Sequence, residues 1–361
     1  MGSYNIAVMP GDGIGPEVIR EGVQVLKTAA RAVPGLCLDY DYYEAGAALY
    51  QRTGVAMPSD VFEACKAADA IYFGAVGHPD VRLPDGTEVH GEVMFKLRFD
   101  LDLYAGLRPI KLYPGVTGPL RTARAIDYVI LRENVEGLYA ARGGGNLLRG
   151  EVATDTIIIT RKGTERIVDW AFRLARKRSG RPSDGKRVVT CVDKANVLRS
   201  YAYFRRVYDD VAARYPDISR DYAYVDAMTL YQVLNPAAYD VVVAENMFGD
   251  IISDLAAATI GGLGMAPSGD IGDDHAVFQP SHGTAPTIAG KNVANPLATI
   301  LSGALMLDWL GERHGDATAV EAGRRIEAAV GRVLAERMAL PTDLGGTSST
   351  SEVGEAVCRA L

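Results

Sequence analysis

The segment Glu245-Asn246-Met247-Phe248-Gly249-Asp250-Ile251-Ile252-Ser253-Asp254-Leu255 follows the apolar run Tyr239 to Ala244. The apolar run predicts a buried strand, and the pattern from Gly249 onward is typical of a helix. Residues four apart share one helix face, so Asp250 and Asp254 should lie one turn apart. A charged first helical turn is the ordinary interpretation, and the alternative is a pair of ligands for a divalent cation.

The composition excludes several classes of protein. The 361 residues are enough for two domains or one large one, and 48% hydrophobic with 23% charged residues is typical of a soluble globular protein. A net charge of −7 argues against a nucleic-acid binder. The four cysteines form no CxxC pair, so we expect neither a zinc site nor a disulfide framework, and a cytoplasmic location. The longest apolar stretch, Leu297 to Leu310, is too short for a membrane span and predicts a buried core helix.

Short apolar runs alternate with helical patterns along most of the chain, which predicts an α/β fold with a parallel sheet. The predicted strands cover residues 4–9, 38–43, 70–74, 128–131, 187–192, 222–225 and 241–243. The predicted helices cover residues 18–32, 59–68, 164–177, 227–234, 250–260, 296–310, 318–338 and 351–361. Residues 77–91 are predicted to form a long loop. Residues 152–160 are predicted to form a protruding arm, and its apolar run would need a partner to pack against.

A glycine-rich turn, Gly11 to Gly15, lies between the first strand and the first helix. This arrangement suggests a dinucleotide fingerprint, but the glycines are spaced G-x-G-x-G and Pro16 occupies the first helical turn. A tight strand-to-helix connection is therefore the simpler interpretation. A nucleotide-binding module that uses this turn stays open as an alternative.

Several charged residues follow predicted strands. Arg98, Arg108 and Arg132 come from different elements, and a guanidinium matches the two oxygens of a carboxylate. An internal acidic partner would explain any one of them, whereas three together favour a substrate with more than one carboxylate. Lys194 lies at a strand-to-helix junction, where a surface lysine is the ordinary alternative, and Asp226 ends a strand.

Taken in order, these motifs resemble one family. They are Gly11-Asp12-Gly13-Ile14-Gly15-Pro16-Glu17, Leu107-Arg108-Pro109, Arg132-Glu133-Asn134, Gly137-Leu138-Tyr139, Asp193-Lys194-Ala195-Asn196, Asn246-Met247-Phe248-Gly249-Asp250, Ser253-Asp254 and His282-Gly283-Thr284-Ala285-Pro286. The chain resembles, from Ile6 to about Gly346, the metal-dependent β-decarboxylating dehydrogenases. This is the isocitrate and 3-isopropylmalate dehydrogenase family, which includes tartrate/D-malate and homoisocitrate dehydrogenases.

The resemblance implies an α/β, isopropylmalate dehydrogenase-like two-domain fold that is not a Rossmann fold, with the active-site cleft between the domains. Residues 1–103 and 260–361 would form a discontinuous cofactor-binding domain. Residues 104–259 would form the central substrate, metal and dimerisation domain, with an arm near 150–162. It also implies a homodimer with shared active sites, or a tetramer, in which Lys194 and Asp226 come from the partner subunit.

The resemblance assigns roles to individual residues. Mg²⁺ or Mn²⁺ would bind Asp226, Asp250 and Asp254, the three arginines would hold substrate carboxylates, Lys194 would deprotonate the substrate hydroxyl, and Tyr139 would protonate the enol carbon after decarboxylation. The nucleotide would contact His282, Gly283, Thr284, Ala285, Thr287, Asn295 and Asn196. NAD-using members usually have an aspartate where this chain has Thr287, but the chain also lacks the cations that meet a 2′-phosphate, so NAD is favoured over NADP.

The substrate expectation depends on the residues before Arg98. Met94 and Phe95 could pack on an alkyl group, and the anionic or apolar lining of Glu92-Val93-Met94-Phe95 disfavours a third carboxylate. We therefore expect a 2-hydroxy diacid of the 3-alkylmalate type, such as 3-isopropylmalate. D-malate or tartrate is the alternative, because Phe95-Lys96-Leu97-Arg98 is similar to the corresponding segment of those enzymes; isocitrate and homoisocitrate fit less well. A non-catalytic regulatory subunit is the alternative from another class, although such paralogues would be expected to lack some of these residues.

Overall fold

A computed structural model describes residues 2–120, 125–142 and 144–361. The strands, in chain order, are β1 (Gly2–Gly11), β2 (Leu36–Tyr42), β3 (Ala70–Ala75), β4 (Ala105–Lys111), β5 (Asp127–Glu133), β6 (Asn146–Leu148), β7 (Val152–Thr154), β8 (Val188–Asp193), β9 (Ser219–Tyr224), β10 (Val241–Ala244), β11 (Pro267–Ile271) and β12 (Ala276–Pro280). The helices are α1 (Gly15–Ala32), α2 (Ala47–Thr53), α3 (Ser59–Ala67), α4 (His90–Asp100), α5 (Arg161–Lys177), α6 (Arg199–Ala212), α7 (Val225–Leu234), α8 (Asn246–Thr259), α9 (Leu297–His314), α10 (Ala317–Ala335) and α11 (Thr350–Ala360).

The chain divides into two units, each discontinuous in sequence. The first unit comprises Met1–Asp102, Tyr113–Thr117 and Gly261–Leu361, and the second comprises Leu103–Leu112 and Gly118–Ile260. In the first unit the strands follow the order β2-β1-β3-β12-β11, parallel except for β11, which pairs antiparallel with β12. Helices α1, α9, α10 and α11 pack together in this unit, and α9 lies against β11 and β12.

The second unit brings the ends of four parallel strands together. Its strand order is β4-β5-β10-β8-β9, with β4 antiparallel to β5 and the remaining pairs parallel. Ala244 on β10 is in register with Arg132 on β5 and with Val192 on β8. The carboxyl ends of parallel strands meet at one sheet edge, so the segments that follow β5, β8, β9 and β10 all begin there. This edge carries most of the charged residues singled out in the sequence.

Four sequence-based predictions of local structure need correction. Helix α8 begins at Asn246, not near Asp250, so Asp250 lies in its second turn. Asp226 lies in the first turn of α7 and does not end a strand, and Arg132 lies inside β5 rather than after it. The hairpin of β6 and β7 begins at Asn146, earlier than the predicted arm. Elements α2, α4, α6, β4, β11 and β12 were not predicted.

The predicted core helix is confirmed. Helix α9 is buried along nearly its whole length, including Leu297, Ile300, Leu307 and Leu310. Among the described residues, no helix combines the length and apolar character needed to cross a bilayer. The apolar sequence of α9 therefore reflects packing inside the first unit.

One carboxyl group on α9 gives a pH prediction. Asp308 packs against α10, where a side chain at Gly323 would meet its Oδ1 at 2.7 Å. Burial, followed by the neighbouring Glu327 and Glu312 carboxylates, raises the pKa of Asp308 to about 7. Because the folded-state pKa lies above that of the unfolded chain, ionisation of Asp308 opposes folding, and this cost develops as pH rises from about 4 towards 7.

Replacing Asp308 with asparagine should therefore stabilise the protein at pH 8 by about 1–3 kcal/mol, with a smaller gain at pH 5. Urea unfolding of the wild-type and variant proteins at both pH values measures the difference. A gain that is equal at the two pH values would show that the effect is not due to this ionisation.

Candidate active site

The start of helix α8 is fixed by Glu245. Its carboxylate accepts hydrogen bonds from the backbone amides of Met247 (3.2 Å) and Phe248 (3.4 Å), and from the Tyr201 hydroxyl at 2.9 Å. These bonds satisfy amides that a helix start would otherwise leave without partners. Gly137, with φ of +79°, makes room for this carboxylate, because a Cβ there would lie 2.1 Å from Glu245 Oε1. Burial raises the pKa of Glu245.

Arg132 is held against α8 by two side chains of that helix. Its Nε donates to Asn246 Oδ1 at 2.9 Å, and its Nη1 pairs with Asp250. Gly249 permits this approach, since a Cβ at that position would lie 2.7 Å from the Cβ of Arg132. The Arg132 side chain is only 4% exposed, so its charge is compensated by protein groups in a largely dry environment.

Tyr139 and Asp254 complete this cluster. The Tyr139 hydroxyl, in a short 3₁₀ turn, donates to Asp250 Oδ2 at 3.1 Å, and its ring lies 5.5 Å from the Arg132 guanidinium carbon. Partial desolvation and the Asp250 carboxylate raise the pKa of Asp254, and Arg108 and Arg132 lower it to a smaller extent. The two aspartates lie one helical turn apart, as predicted, so each carboxylate lies near the negative charge of the other. A divalent cation with hard oxygen ligands fits this donor pair.

Lys194 and Asp226 form a separate pair. Lys194 Nζ lies 2.6 Å from Asp226 Oδ1, and this contact lowers the pKa of the carboxyl group. The turn that carries Lys194 is anchored by Asp193, which receives two bonds from Arg205, at 2.6 and 2.8 Å. Strand β9, which leads to Asp226, lies two strands from β10, about 10 Å away at normal strand spacing. Over the part of the chain that the structure describes, no three acidic, histidine or cysteine side chains are grouped as a metal site.

The arginine and apolar residues of α4 lie in the first unit. Arg98 Nε pairs with Asp270 at 2.9 Å, and Gln279 also donates to that carboxylate at 3.1 Å. An internal acidic partner, the ordinary interpretation at the sequence level, is therefore present for Arg98, as it is for Arg132. Met94 is buried four residues before Arg98, and the Phe95 ring stacks on Phe99 with centroids 5.5 Å apart.

A second cluster in the first unit surrounds the loop that begins at His282. His282 Nδ1 lies 2.9 Å from the Gly283 carbonyl oxygen, which can only accept, so Nδ1 carries the proton and Nε2 is an acceptor. Burial lowers the pKa of His282, which keeps the ring neutral near pH 7. His282 Nε2 and the neighbouring Ser281 Oγ are buried with no hydrogen-bond partner among the described residues. Buried polar atoms of this kind fit a ligand that carries hydroxyl and amino groups.

The other expected nucleotide contacts differ in how they are placed. Thr284 is buried and Thr287 is exposed, while Ala285 adopts a φ of +39°. Asn295 is engaged within the protein: its Nδ2 donates to Asp343 at 3.1 Å and its Oδ1 accepts from the Leu297 amide at 3.0 Å. Asn196 is exposed in the turn after Lys194 and lies in the second unit.

The structure thus groups Arg108, Arg132, Tyr139, Asp250 and Asp254 in the second unit, and His282 to Ala285 with Thr287 in the first. It pairs Lys194 with Asp226 apart from the first group. Sequence reasoning missed Glu245, Tyr201 and Asn246, which orient this site. The position of Glu245 directly after a predicted strand was the one available signal, although a long acidic side chain is not a usual helix cap. The Tyr201 contact spans 44 residues and has no local signature.

Comparison with known proteins identifies the family of the chain. The family model described as isocitrate/isopropylmalate dehydrogenase matches residues 5–357. The chain belongs to this family. A 3-isopropylmalate/3-methylmalate dehydrogenase of Methanocaldococcus jannaschii is 45% identical over 359 residues, covering 99% of each chain, and a tartrate dehydrogenase/decarboxylase of Pseudomonas putida is 42% identical over 369 residues, covering 99% of this chain and 98% of its own. A crystal structure of isocitrate dehydrogenase from Methylococcus capsulatus superimposes with a TM-score of 0.87 at 35% identity, covering 99% of both chains.

Membership of the isocitrate/isopropylmalate dehydrogenase family confirms the predicted fold class and enzyme class. The protein is a decarboxylating hydroxyacid dehydrogenase with the α/β fold of that family. Its family acts on small hydroxyacids and generally depends on NAD and a divalent metal.

Proposed function

We propose that this dehydrogenase catalyses the NAD-dependent and divalent-metal-dependent oxidative decarboxylation of a 3-alkylmalate, with 3-isopropylmalate as the best candidate. The observation that carries the proposal is the cluster in which Arg132 and Tyr139 both contact Asp250, one turn before Asp254. It combines a cation for substrate carboxylates, a proton donor and two hard oxygen ligands. The relatives named for 3-isopropylmalate at 41–45% identity support this substrate.

The chain's own side chains supply binding and proton transfer. Arg132, oriented by Asn246, and the buried Arg108 would hold the substrate carboxylates, including the one that leaves as carbon dioxide. Lys194 would accept the proton of the substrate hydroxyl, and Tyr139 would donate a proton to the enol carbon. When bound, Mg²⁺ or Mn²⁺ would act as a Lewis acid at the substrate hydroxyl and its neighbouring carboxylate.

We propose that the active form is a homodimer in which Lys194 and Asp226 join Asp250 and Asp254 of the other copy. The pairing of Lys194 with Asp226, two strands away from β10, supports this, since one chain groups only two of the three aspartates. Apolar side chains exposed in the second unit support an interface there: Leu230, Leu234 and Ile251 on α7 and α8, and Leu147, Leu148 and Val152 on the hairpin.

For the nucleotide we propose the loop from His282 to Thr287. Neutral His282, with its buried acceptor Nε2, suits a ribose hydroxyl or an adenine amino group. Asn295, which follows this loop, would act through its bonds to Leu297 at the start of α9 and to Asp343 in the 3₁₀ turn Thr342–Leu344. At Thr287 and Ile288 the chain has no cation to meet a 2′-phosphate, which favours NAD over NADP.

The tartrate dehydrogenase/decarboxylase relative supports D-malate or tartrate as the second candidate. A panel of 3-isopropylmalate, D-malate, L-tartrate, isocitrate and homoisocitrate, each with NAD or NADP and with Mn²⁺ or EDTA, decides between them. Burial of one isopropyl group is worth about 1.5–3 kcal/mol, so kcat/KM for 3-isopropylmalate should exceed that for D-malate by at least about tenfold. Faster turnover of D-malate or tartrate would favour the second candidate, and EDTA-resistant turnover of every substrate would contradict the metal.

A further inference from the structure

The glycine-rich turn at the start of α1, which the proposed chemistry leaves without a role, packs against the loop that begins at His282. The Ile14 amide donates to the Thr284 carbonyl oxygen at 2.9 Å. A Cβ at Gly13 would lie 2.1 Å from the same oxygen, so only glycine allows this approach. Ile14, Val18 and Ala294 form an apolar cluster onto which Ala285, Ile288 and Ala289 pack.

Glu17, in the first turn of α1, makes the polar contacts to the far end of this loop. One carboxylate oxygen accepts from the Gly290 amide, and the other accepts from the Asn292 amide at 2.9 Å. Both residues have positive φ, +76° at Gly290 and +56° at Asn292. Asparagine tolerates this backbone region but does not prefer it, so the conformation at Asn292 needs support from its surroundings.

Asn292 is held from its other side as well. Its carbonyl oxygen accepts from the Thr350 amide at 2.9 Å, and its side chain exchanges hydrogen bonds with Ser351 at 3.0 and 3.2 Å. The loop is therefore fixed at both ends, by Ile14 at Thr284 and by Glu17 with α11 at residues 290–292. Between these points lies Thr287, which is exposed.

We propose that Glu17 is a positioning residue for nucleotide binding, which holds residues 284–292 in the conformation that the nucleotide requires. This rests on the proposed function of that loop. The carboxylate accepts two backbone amides at once, and charge-assisted bonds of this kind are stronger than neutral ones. Without them, the loop would occupy its binding-competent conformation for a smaller fraction of time, and the apparent nucleotide affinity falls in proportion to that fraction.

The test uses Glu17→Ala and Glu17→Gln, with Gln24→Ala on the exposed side of the same helix as the control. In the absence of ligands, hydrogen exchange of a peptide covering residues 285–292 should become at least about tenfold faster in Glu17→Ala, and exchange in α9 should not change. The KM and dissociation constant for NAD should rise about tenfold, with kcat and the KM for the diacid within about twofold of wild type. Glu17→Gln keeps one acceptor oxygen, so its exchange rate and its NAD constants should lie between those of the wild type and those of Glu17→Ala.

Each outcome has one meaning. Unchanged exchange at residues 285–292 in Glu17→Ala would overturn the proposal, and so would faster exchange with an unchanged dissociation constant for NAD. A fall in kcat with no change in either NAD constant would indicate a general structural defect and would also overturn it. If the wild-type protein binds no nucleotide in calorimetry, the proposed function of the loop fails, and the exchange data still decide whether Glu17 holds it.

Discussion

Replacing Asp250 with asparagine is expected to lower kcat by about a thousandfold or more, because it removes a charged metal ligand and with it several kcal/mol of charge stabilisation. Asparagine keeps the size of the side chain and an oxygen that can still accept from Arg132, so the fold should be retained. The affinity for Mn²⁺, measured calorimetrically in the presence of 3-isopropylmalate, should fall together with kcat.

Asp217→Asn is the matched control for this variant. Asp217 is an exposed carboxylate of the same unit that pairs with Arg176, outside the proposed site. Its replacement should leave kcat within about twofold of wild type, as is usual for a surface ion pair. An Asp250→Asn enzyme that keeps more than a tenth of wild-type kcat, with unchanged Mn²⁺ affinity, would exclude Asp250 as a metal ligand.

The spacing of Asp250 and Asp254 could be predicted from the sequence because it depends only on helical periodicity. The start of their helix could not. Glu245 caps it, although short polar side chains are the usual caps, so the local sequence did not indicate a helix from Asn246. The sequence therefore predicted Asp250 in the first turn of the helix, whereas in the structure it lies in the second turn of α8.

Other elements were missed for different physical reasons. In α4 the apolar residues Val93, Met94 and Leu97 share one face, but Phe95 and Phe99 lie on the opposite face and Arg98 is buried, so no amphipathic stripe marks the helix. Strands β11 and β12 contain proline, glycine and polar residues, which are depleted in strands, and both are nevertheless buried. Tertiary packing in the first unit overrides the weak local preference.

The supporting contacts of the site could not be predicted from local patterns at all. Glu17 meets Gly290 across 273 residues, and Arg132 meets Asn246 across 114. The quoted sequence motifs contained Glu17, Arg132 and Asn246, because the family resemblance had selected those segments, but they ended at Pro286 and did not include Gly290. What remained unknown was which side chain orients which.

The second large effect concerns Lys194, the proposed base from the neighbouring copy. Lys194→Ala should lower kcat by about a hundredfold to ten-thousandfold, the usual contribution of a positioned acid or base. The substitution should change kcat and the pH dependence of kcat. The protein should still fold, because within the described residues the one ion pair of Lys194 is with the exposed side chain of Asp226.

Mixing of inactive chains tests whether each active site joins residues of two copies. Lys194→Ala and Asp250→Asn chains, each inactive alone, are denatured together at equal amounts and refolded. In a mixed dimer with shared sites, one site receives both substitutions and the other receives neither, so about one quarter of wild-type activity should return after random pairing. When wild-type chains are mixed with the Lys194→Ala/Asp250→Asn double variant, each site of a mixed dimer receives one substitution. These mixed dimers should therefore have no intact site. If mixing the single variants restores no activity, and mixed dimers with the double variant keep half of theirs, each chain holds a complete site and the account is wrong.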